Sequence, residues 1–228
     1  INIGSAIVKI ETRSFASARL AYRFCHKIYI CRIVINMKIE LEQNFKPSKI
    51  VCVGRNYSEH AAELGNEVPK EPLIFLKAPS ALIKSEDTIF LPTYSAQVEH
   101  EAELAVVIGR ECTELGDDVD PLEYVLGYTC LNDVTARDIQ RKDVQFTRAK
   151  SFNTFCPVGP VIETDLDVSD LSVECRVNGT VKQQGRTSQM VFSVPFLIRY
   201  ISQVMTLLPG DLIATGTPSG VARLNPGD

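Results

Sequence analysis

The chain has 228 residues and a mass of 25.3 kDa, with 45% hydrophobic and 23% charged residues, 13 Gly and 12 Pro, a composition that excludes a disordered or collagen-like chain and allows a core of its own. Its formal net charge of −4 is unevenly spread: residues 1–36 hold six Lys or Arg and the single acid Glu11, leaving 18 basic against 27 acidic residues from Met37 onward. So acidic a body, without basic patches interleaved with aromatics, argues against a nucleic-acid partner, and no apolar run reaches the roughly 18 residues of a membrane span.

In chain order, residues 1–36 come first, and Arg13, Ser14, Ser17, Arg19, Arg23, Lys27 and Arg32 give them the Arg-rich, acid-poor bias of an organelle transit peptide. That reading would send the protein to mitochondria. The reading favoured here is translated upstream sequence ahead of a natural start at Met37, with a cytoplasmic protein. Residues 37–228 contain no repeat or linker and are taken as one domain. Short runs rich in β-branched residues and bounded by Gly, Pro, Asn or Asp predict strands over 50–53, 73–76, 98–108, 124–131, 158–162 and 173–177. Asn178-Gly179 between two such runs predicts a hairpin. Helical spacing predicts helices over 58–64, 136–143 and 195–207, the last with Ser193 as cap and Pro195 in its first turn. The two shorter helices each begin where a buried strand stops, a common place for a site. Seven cysteines without CxxC spacing read as reduced thiols, and Cys52, Cys130 and Cys156 as core packing.

The chemistry concentrates in Glu99-His100-Glu101-Ala102-Glu103-Leu104. In a strand Glu101 and Glu103 share a face. An isolated Glu-x-Glu is ordinarily a solvated face, but here the strand runs on into 104–108, apolar on both sides, so the two carboxylates meet at the rim of a covered strand and need a cation. Oxygen-only ligands imply a hard ion, Mg²⁺, Mn²⁺ or Ca²⁺. Asp133 is the best-placed third acid, and it serves equally well as the N-cap of the helix that follows. His60 and Glu63, three apart on a helix face, form either an exposed pair or a carboxylate-oriented imidazole able to take a proton from water. Lys150, ahead of a buried strand, is either a surface lysine or a group that offsets developing negative charge. The loop Thr215-Gly216-Thr217-Pro218-Ser219-Gly220 offers hydroxyls and amides suited to a carboxylate, or is a plain turn.

Taken together, Val51-Cys52-Val53-Gly54-Arg55-Asn56-Tyr57 with His60 and Glu63, His100-Glu101-Ala102-Glu103-Leu104, Asn132-Asp133 through Gln140, Lys150-Ser151-Phe152 and Gly210-Asp211 through Pro218 resemble the fumarylacetoacetate hydrolase family, most closely its small acylpyruvate hydrolase branch. The resemblance covers residue 48 to the end. It implies an α+β, β-rich fold, a mixed β-sandwich roll, usually as a homodimer, with Mg²⁺ or Mn²⁺ held by Glu101, Glu103 and Asp133. It further implies hydrolysis of a carbon-carbon bond in a 1,3-diketo acid, with His60 and Glu63 as the water-activating pair on a lid, Lys150 and Gln140 on substrate oxygens, and Arg55 and Thr217 also binding substrate. Decarboxylation of oxaloacetate and isomerisation of hydroxymuconate derivatives use the same metal chemistry, and a non-catalytic cation-binding protein is the alternative from another class. Residues 1–36 match nothing in the family, and the stop at Asn225-Pro226-Gly227-Asp228 precedes the closing strands that relatives usually have, so an incomplete reading frame is expected at both ends.

Overall fold

The structure is a computed structural model that describes residues 7–11, 38–41 and 45–228. The transit-like features from Arg13 to Arg32 lie outside the described residues. The fold is α+β and β-rich. Its centre is a mixed seven-stranded sheet in the spatial order Lys38–Glu40, Val161–Glu163, Val125–Asn132, Ala102–Ile108, Leu212–Ala214, Ile50–Gly54, Leu73–Lys77. All neighbours run antiparallel except Leu212–Ala214 and Ile50–Gly54, which are parallel.

Both faces of this sheet are covered, as the apolar runs require. On one face Val51, Val53, Leu104, Val106 and Ile213 pack with Leu197, Ile198 and Ile201 of the helix Val194–Val204. On the other, Ile50, Cys52, Ala105, Val107, Leu212 and Ala214 pack with Ala81, Phe155, Cys156 and Val158. Alternation along Ala102–Ile108 therefore puts Glu103 on the second face, in line with Ala105 and Val107.

Among the described residues there are three smaller sheets. Ile7–Glu11, Ser172–Val177 and Thr180–Arg186 form an antiparallel sheet, whose hairpin turns at Asn178 and Gly179, both at positive φ (51° and 77°), as an Asn-Gly turn demands. Leu82–Ile83 pairs in parallel with Cys156–Pro157. Val98–His100 lies between Ala222–Arg223 and Thr135–Ala136.

That last sheet corrects one expectation. Residues 98–108 are not one strand: the chain leaves one sheet at His100 and joins another at Ala102, with Glu101 in the bend. The side-chain Oδ1 of Asn132 accepts the Glu101 amide at 2.9 Å, replacing the interrupted ladder bond. The strand expected over 158–162 lies slightly later, at Val161–Glu163, because Val158 is drawn instead into a single bridge with Leu131. The α-helices among the described residues are Ser58–Glu63, Arg137–Gln140, Thr147–Lys150 and Val194–Val204. Ser193 stands at the N-cap of the long helix with Pro195 in its first turn, yet its side chain makes no capping bond.

Buried Asn56 welds the segment after Ile50–Gly54 to two distant loops. Its Nδ2 donates to the carbonyls of Thr215 (2.7 Å) and Phe192 (3.0 Å), and its Oδ1 accepts from the Phe192 amide (2.8 Å). Asn56→Ala removes bonds to the buried Thr215 carbonyl and the half-buried Phe192 backbone, and urea unfolding should report a loss of about 2 to 4 kcal/mol. A change below 1 kcal/mol would mean that solvent reaches the Thr215 and Phe192 backbone.

Candidate metal centre and active site

Two bends build the acidic centre. The register that sets Ala102 opposite Asn132 and Val98 opposite Ala136 puts Asp133 directly across from Glu101, at the corner where its own strand also changes sheets. The Asp133 amide donates to the Glu101 carbonyl at 2.8 Å. Glu103 follows two residues after Glu101 on the same side of the chain. One carboxylate oxygen from each of Glu101, Glu103 and Asp133 thus lies within 4.8 Å of the others, and all three side chains are buried. The reading of Asp133 as an N-cap falls away, since the helix begins only at Arg137, with Ala136 as its N-cap residue.

Such a cluster is tolerable because cations surround it. Lys150 Nζ donates to Glu101 Oε2 and Asp133 Oδ2, both at 2.7 Å. Arg137 reaches the other oxygen of Glu101 through Nη2 and Glu99 through Nε at 2.7 Å. Burial opposes ionisation of Glu101, but Lys150 and Arg137 outweigh it and hold this carboxyl well below the usual range. Glu103 goes the other way: burial, then the charges of Asp133 and Glu101, push it well above the usual range, against Lys150 and the Gly216 amide. Burial alone would lower Lys150, but Asp133 and Glu101 hold its ammonium charged.

Glu103 Oε2 accepts the Gly216 amide at 2.7 Å. Gly216 has φ of +100°, and a Cβ there would stand 2.7 Å from the Asn56 Cβ, so the loop can offer this amide only with glycine at the position.

These groups open onto one cavity of about 220 Å³. Its wall includes Arg55, His60, Glu101, Glu103, Asp133, Gln140, Lys150 and Thr217, eight of the nine residues singled out in the sequence. The ninth, Glu63, stands behind His60: its Oε2 lies 3.2 Å from His60 Nδ1, and both its oxygens accept the Gly220 amide at 3.0 and 3.2 Å. With Glu63 as acceptor, Nδ1 carries the proton and Nε2 is the basic nitrogen. His60 is 5% exposed, so the pair is not a surface one. Arg55 enters the cavity from a left-handed backbone at φ of 58°. Gln140 Oε1 accepts from Arg137 Nη1. The Thr217 hydroxyl donates to the Ala102 carbonyl (2.8 Å) and accepts from Gln183 Nε2 (2.7 Å).

Sequence reasoning missed Arg137 and Lys77 as members of the centre. Arg137 stands four residues after Asp133, a spacing that carries no warning of burial. Lys77 closes an apolar run and reads as the place where a strand meets solvent, yet its side chain is fully buried, with Nζ 2.7 Å from Asp133 Oδ1. Cys52 and Cys156 are buried packing groups, as expected; burial is the main reason that both thiols are raised, Cys156 to about 12.

The donor set suits a hard divalent ion. Glu101, Glu103 and Asp133 each offer a carboxylate oxygen within 4.8 Å of the others, and Asp133 Oδ1 faces Lys77 Nζ at 2.7 Å.

The family profile described as fumarylacetoacetate (FAA) hydrolase C-terminal matches residues 49–228. The chain is similar to a protein of Methanocaldococcus jannaschii, 53% identical over 186 residues that cover 82% of this chain and 78% of that one. It is similar to the mitochondrial oxaloacetate decarboxylase of Dictyostelium discoideum, 47% identical over 189 residues, 78% of this chain and 85% of that one. Among solved structures it is similar to the 5-carboxymethyl-2-hydroxymuconate delta-isomerase of Mycobacterium smegmatis, with 49% identity and a TM-score of 0.73 over 79% of this chain and 71% of that chain.

The raised Glu103 carboxyl sets the sign of a pH effect. Without metal it keeps its proton to higher pH than an ordinary glutamate, and a divalent ion needs the anion, so binding displaces a proton. Mg²⁺ or Mn²⁺ affinity should therefore fall as pH drops, and calorimetry in two buffers of different ionisation enthalpy should show proton release. Glu103→Gln should abolish that release; binding without any release in the native protein would contradict the assignment of Glu103 as a ligand.

Proposed function

The chain belongs to the fumarylacetoacetate hydrolase family, and from that premise we propose that it is a divalent-metal-dependent hydrolase that cleaves a carbon-carbon bond in acylpyruvate-type 1,3-diketo acids, giving pyruvate and a carboxylic acid. The observation that carries this reading is the His60–Glu63 pair on the same cavity as Glu101, Glu103 and Asp133. Decarboxylation and isomerisation need no activated water, whereas hydrolysis does.

In this reading Glu101, Glu103 and Asp133 hold Mg²⁺ or Mn²⁺, Ca²⁺ being the other hard ion the oxygens would accept. When bound, the ion supplies Lewis-acid polarisation of the 2-oxo acid end of the substrate. His60 Nε2 takes a proton from water, Glu63 stabilises the imidazolium through Nδ1–H, and the hydroxide oxygen bonds to the distal carbonyl carbon. The carbon-carbon bond to the pyruvate methylene then breaks, its electron pair leaves as the enolate, and a proton returned to that carbon completes pyruvate. Lys150, fixed between Glu101 and Asp133, offsets the charge that develops on the leaving half. Arg55 and the amide of Gln140 orient the substrate's oxygens. The hydroxyl of Thr217 is already committed to Ala102 and Gln183, so Thr217 would meet substrate through its main-chain N–H. The same reading makes the enzyme a cytoplasmic homodimer acting on a small keto acid, with neither nucleic acid nor membrane as partner.

Oxaloacetate decarboxylation is the second reading, favoured by the name of the Dictyostelium relative. Pyruvate release from a panel of acylpyruvates and from oxaloacetate, with and without Mg²⁺ and chelator, separates the two. The hydrolase should prefer acylpyruvates, and chelation should stop it. His60→Ala should lower kcat about 10²- to 10⁴-fold with metal affinity unchanged. Oxaloacetate turnover that survives His60→Ala selects decarboxylation, and metal binding without turnover of any substrate selects a passive cation site.

A further inference from the structure

The side chain of Lys77 is fully buried at the end of Leu73–Lys77, and none of the chemistry above uses it. Its Nζ donates to three carbonyls, those of Val134 (3.2 Å), Phe155 (2.8 Å) and Lys150. With Asp133 these carbonyls make four oxygens around one amine, more acceptors than even an ammonium has hydrogens. The next residue continues the seam, with the Ala78 amide donating to Ser151 Oγ at 3.0 Å.

The fourth neighbour of Nζ is Asp133 Oδ1, an ion pair at 2.7 Å. Lys150 takes the other oxygen of Asp133, also at 2.7 Å. The two oxygens of one carboxylate thus face two different lysines. The carbonyls that Lys77 gathers follow Asp133 in the chain, belong to Lys150 itself, or lie just beyond it, so one ammonium fixes the backbone of both residues.

We propose that Lys77 is a positioning residue for the metal centre: by binding the Asp133 carboxylate and the backbone beside Asp133 and at Lys150, it locks Asp133 and Lys150 at their mutual distance. This rests on the metal-dependent reading above and adds to it a group that touches neither metal nor substrate. The competing electrostatic effect is repulsion between the ammonium and the incoming ion, which predicts the opposite sign for removal of the charge.

Mn²⁺ affinity of the full chain, read by electron paramagnetic resonance without substrate, tests it. Lys77→Met should weaken Mn²⁺ binding by the folded protein at least tenfold. Ser151→Ala, which loosens the same seam without removing the charge, should lower Tm and leave Mn²⁺ affinity within a factor of about two. Unchanged or tighter binding in Lys77→Met overturns the proposal, and so does an equal loss in Ser151→Ala, which would reduce Lys77 to a packing role. If native protein binds no Mn²⁺, the metal reading itself fails and this inference with it. Should Lys77→Met not be recovered folded, the assigned ¹⁵Nζ resonance of Lys77 in native protein decides. Protected ammonium protons whose resonance moves on Mg²⁺ addition support the role, whereas rapid exchange or indifference to Mg²⁺ refutes it.

Discussion

Three carboxylates sharing one buried space is the constraint to which the rest of the molecule answers. At separations under 4.8 Å, each like-charge pair costs at least about 3 kcal/mol even at an effective dielectric of about 20. All three ionised together would approach the net stability of a whole domain, about 5–15 kcal/mol, and Glu103 is accordingly pushed well above the usual carboxyl range. The fold supplies three buried cations from three separate elements: Lys77 at a sheet edge, Arg137 at the start of Arg137–Gln140 and Lys150 at the end of Thr147–Lys150. Each meets a carboxylate within hydrogen-bonding reach. The edge strand and two helices too short to persist alone are therefore held in place partly by the charges they carry.

Compensation is uneven, and the unevenness is chemically informative. Glu101 and Glu103 sit two residues apart on one side of the chain, yet they are driven in opposite directions, Glu101 downward and Glu103 upward. Lys150 and Arg137 converge on Glu101, while Glu103 has one backbone amide and the weaker pull of Lys150 at a distance. The resident cations thus satisfy the Glu101–Asp133 side and leave a deficit of positive charge at Glu103. A divalent ion held by the three carboxylates would supply that missing charge.

What the sequence disclosed follows from the range of the interactions involved. The shared face of Glu101 and Glu103, the neighbourhood of His60 and Glu63 and the Asn178-Gly179 turn depend on spacings of one to three residues, so they are legible in a single chain. The role of Asp133 was not decidable, because its partner Glu101 is set by register between two strands, and nothing near Asp133 records that pairing. The break at Glu101 is invisible for a related reason: the alternation of apolar residues continues through it, and the bond that permits it comes from the Asn132 side chain on another strand. Strands of two residues, such as Leu82–Ile83, Thr135–Ala136 and Ala222–Arg223, are shorter than any period that could announce them. Lys77 escaped because hydropathy reads a lysine as an exit from the core, and its burial depends on three carbonyls contributed from elsewhere in the chain.

The two halves of the cavity are built to different standards of rigidity. The acidic half lies in sheet corners and is fully buried, whereas the half that carries His60 is a six-residue helix without a side-chain N-cap. So short a helix has no stability of its own. It is kept by burial of His60 and Ala61 and by contacts to one loop, Ser219 donating to Glu59 at 3.3 Å and the Gly220 amide donating to Glu63 at 3.0 Å. The same Glu63 carboxylate holds His60 Nδ1. The Gly220 amide and the His60 imidazole therefore share one carboxylate, so the contact that docks the helix also steadies the partner of Nδ1. That loop is also the one whose Gly216 amide holds Glu103. Residues 216–220 thus touch the acidic cluster and the His60–Glu63 pair together, through two backbone amides four residues apart.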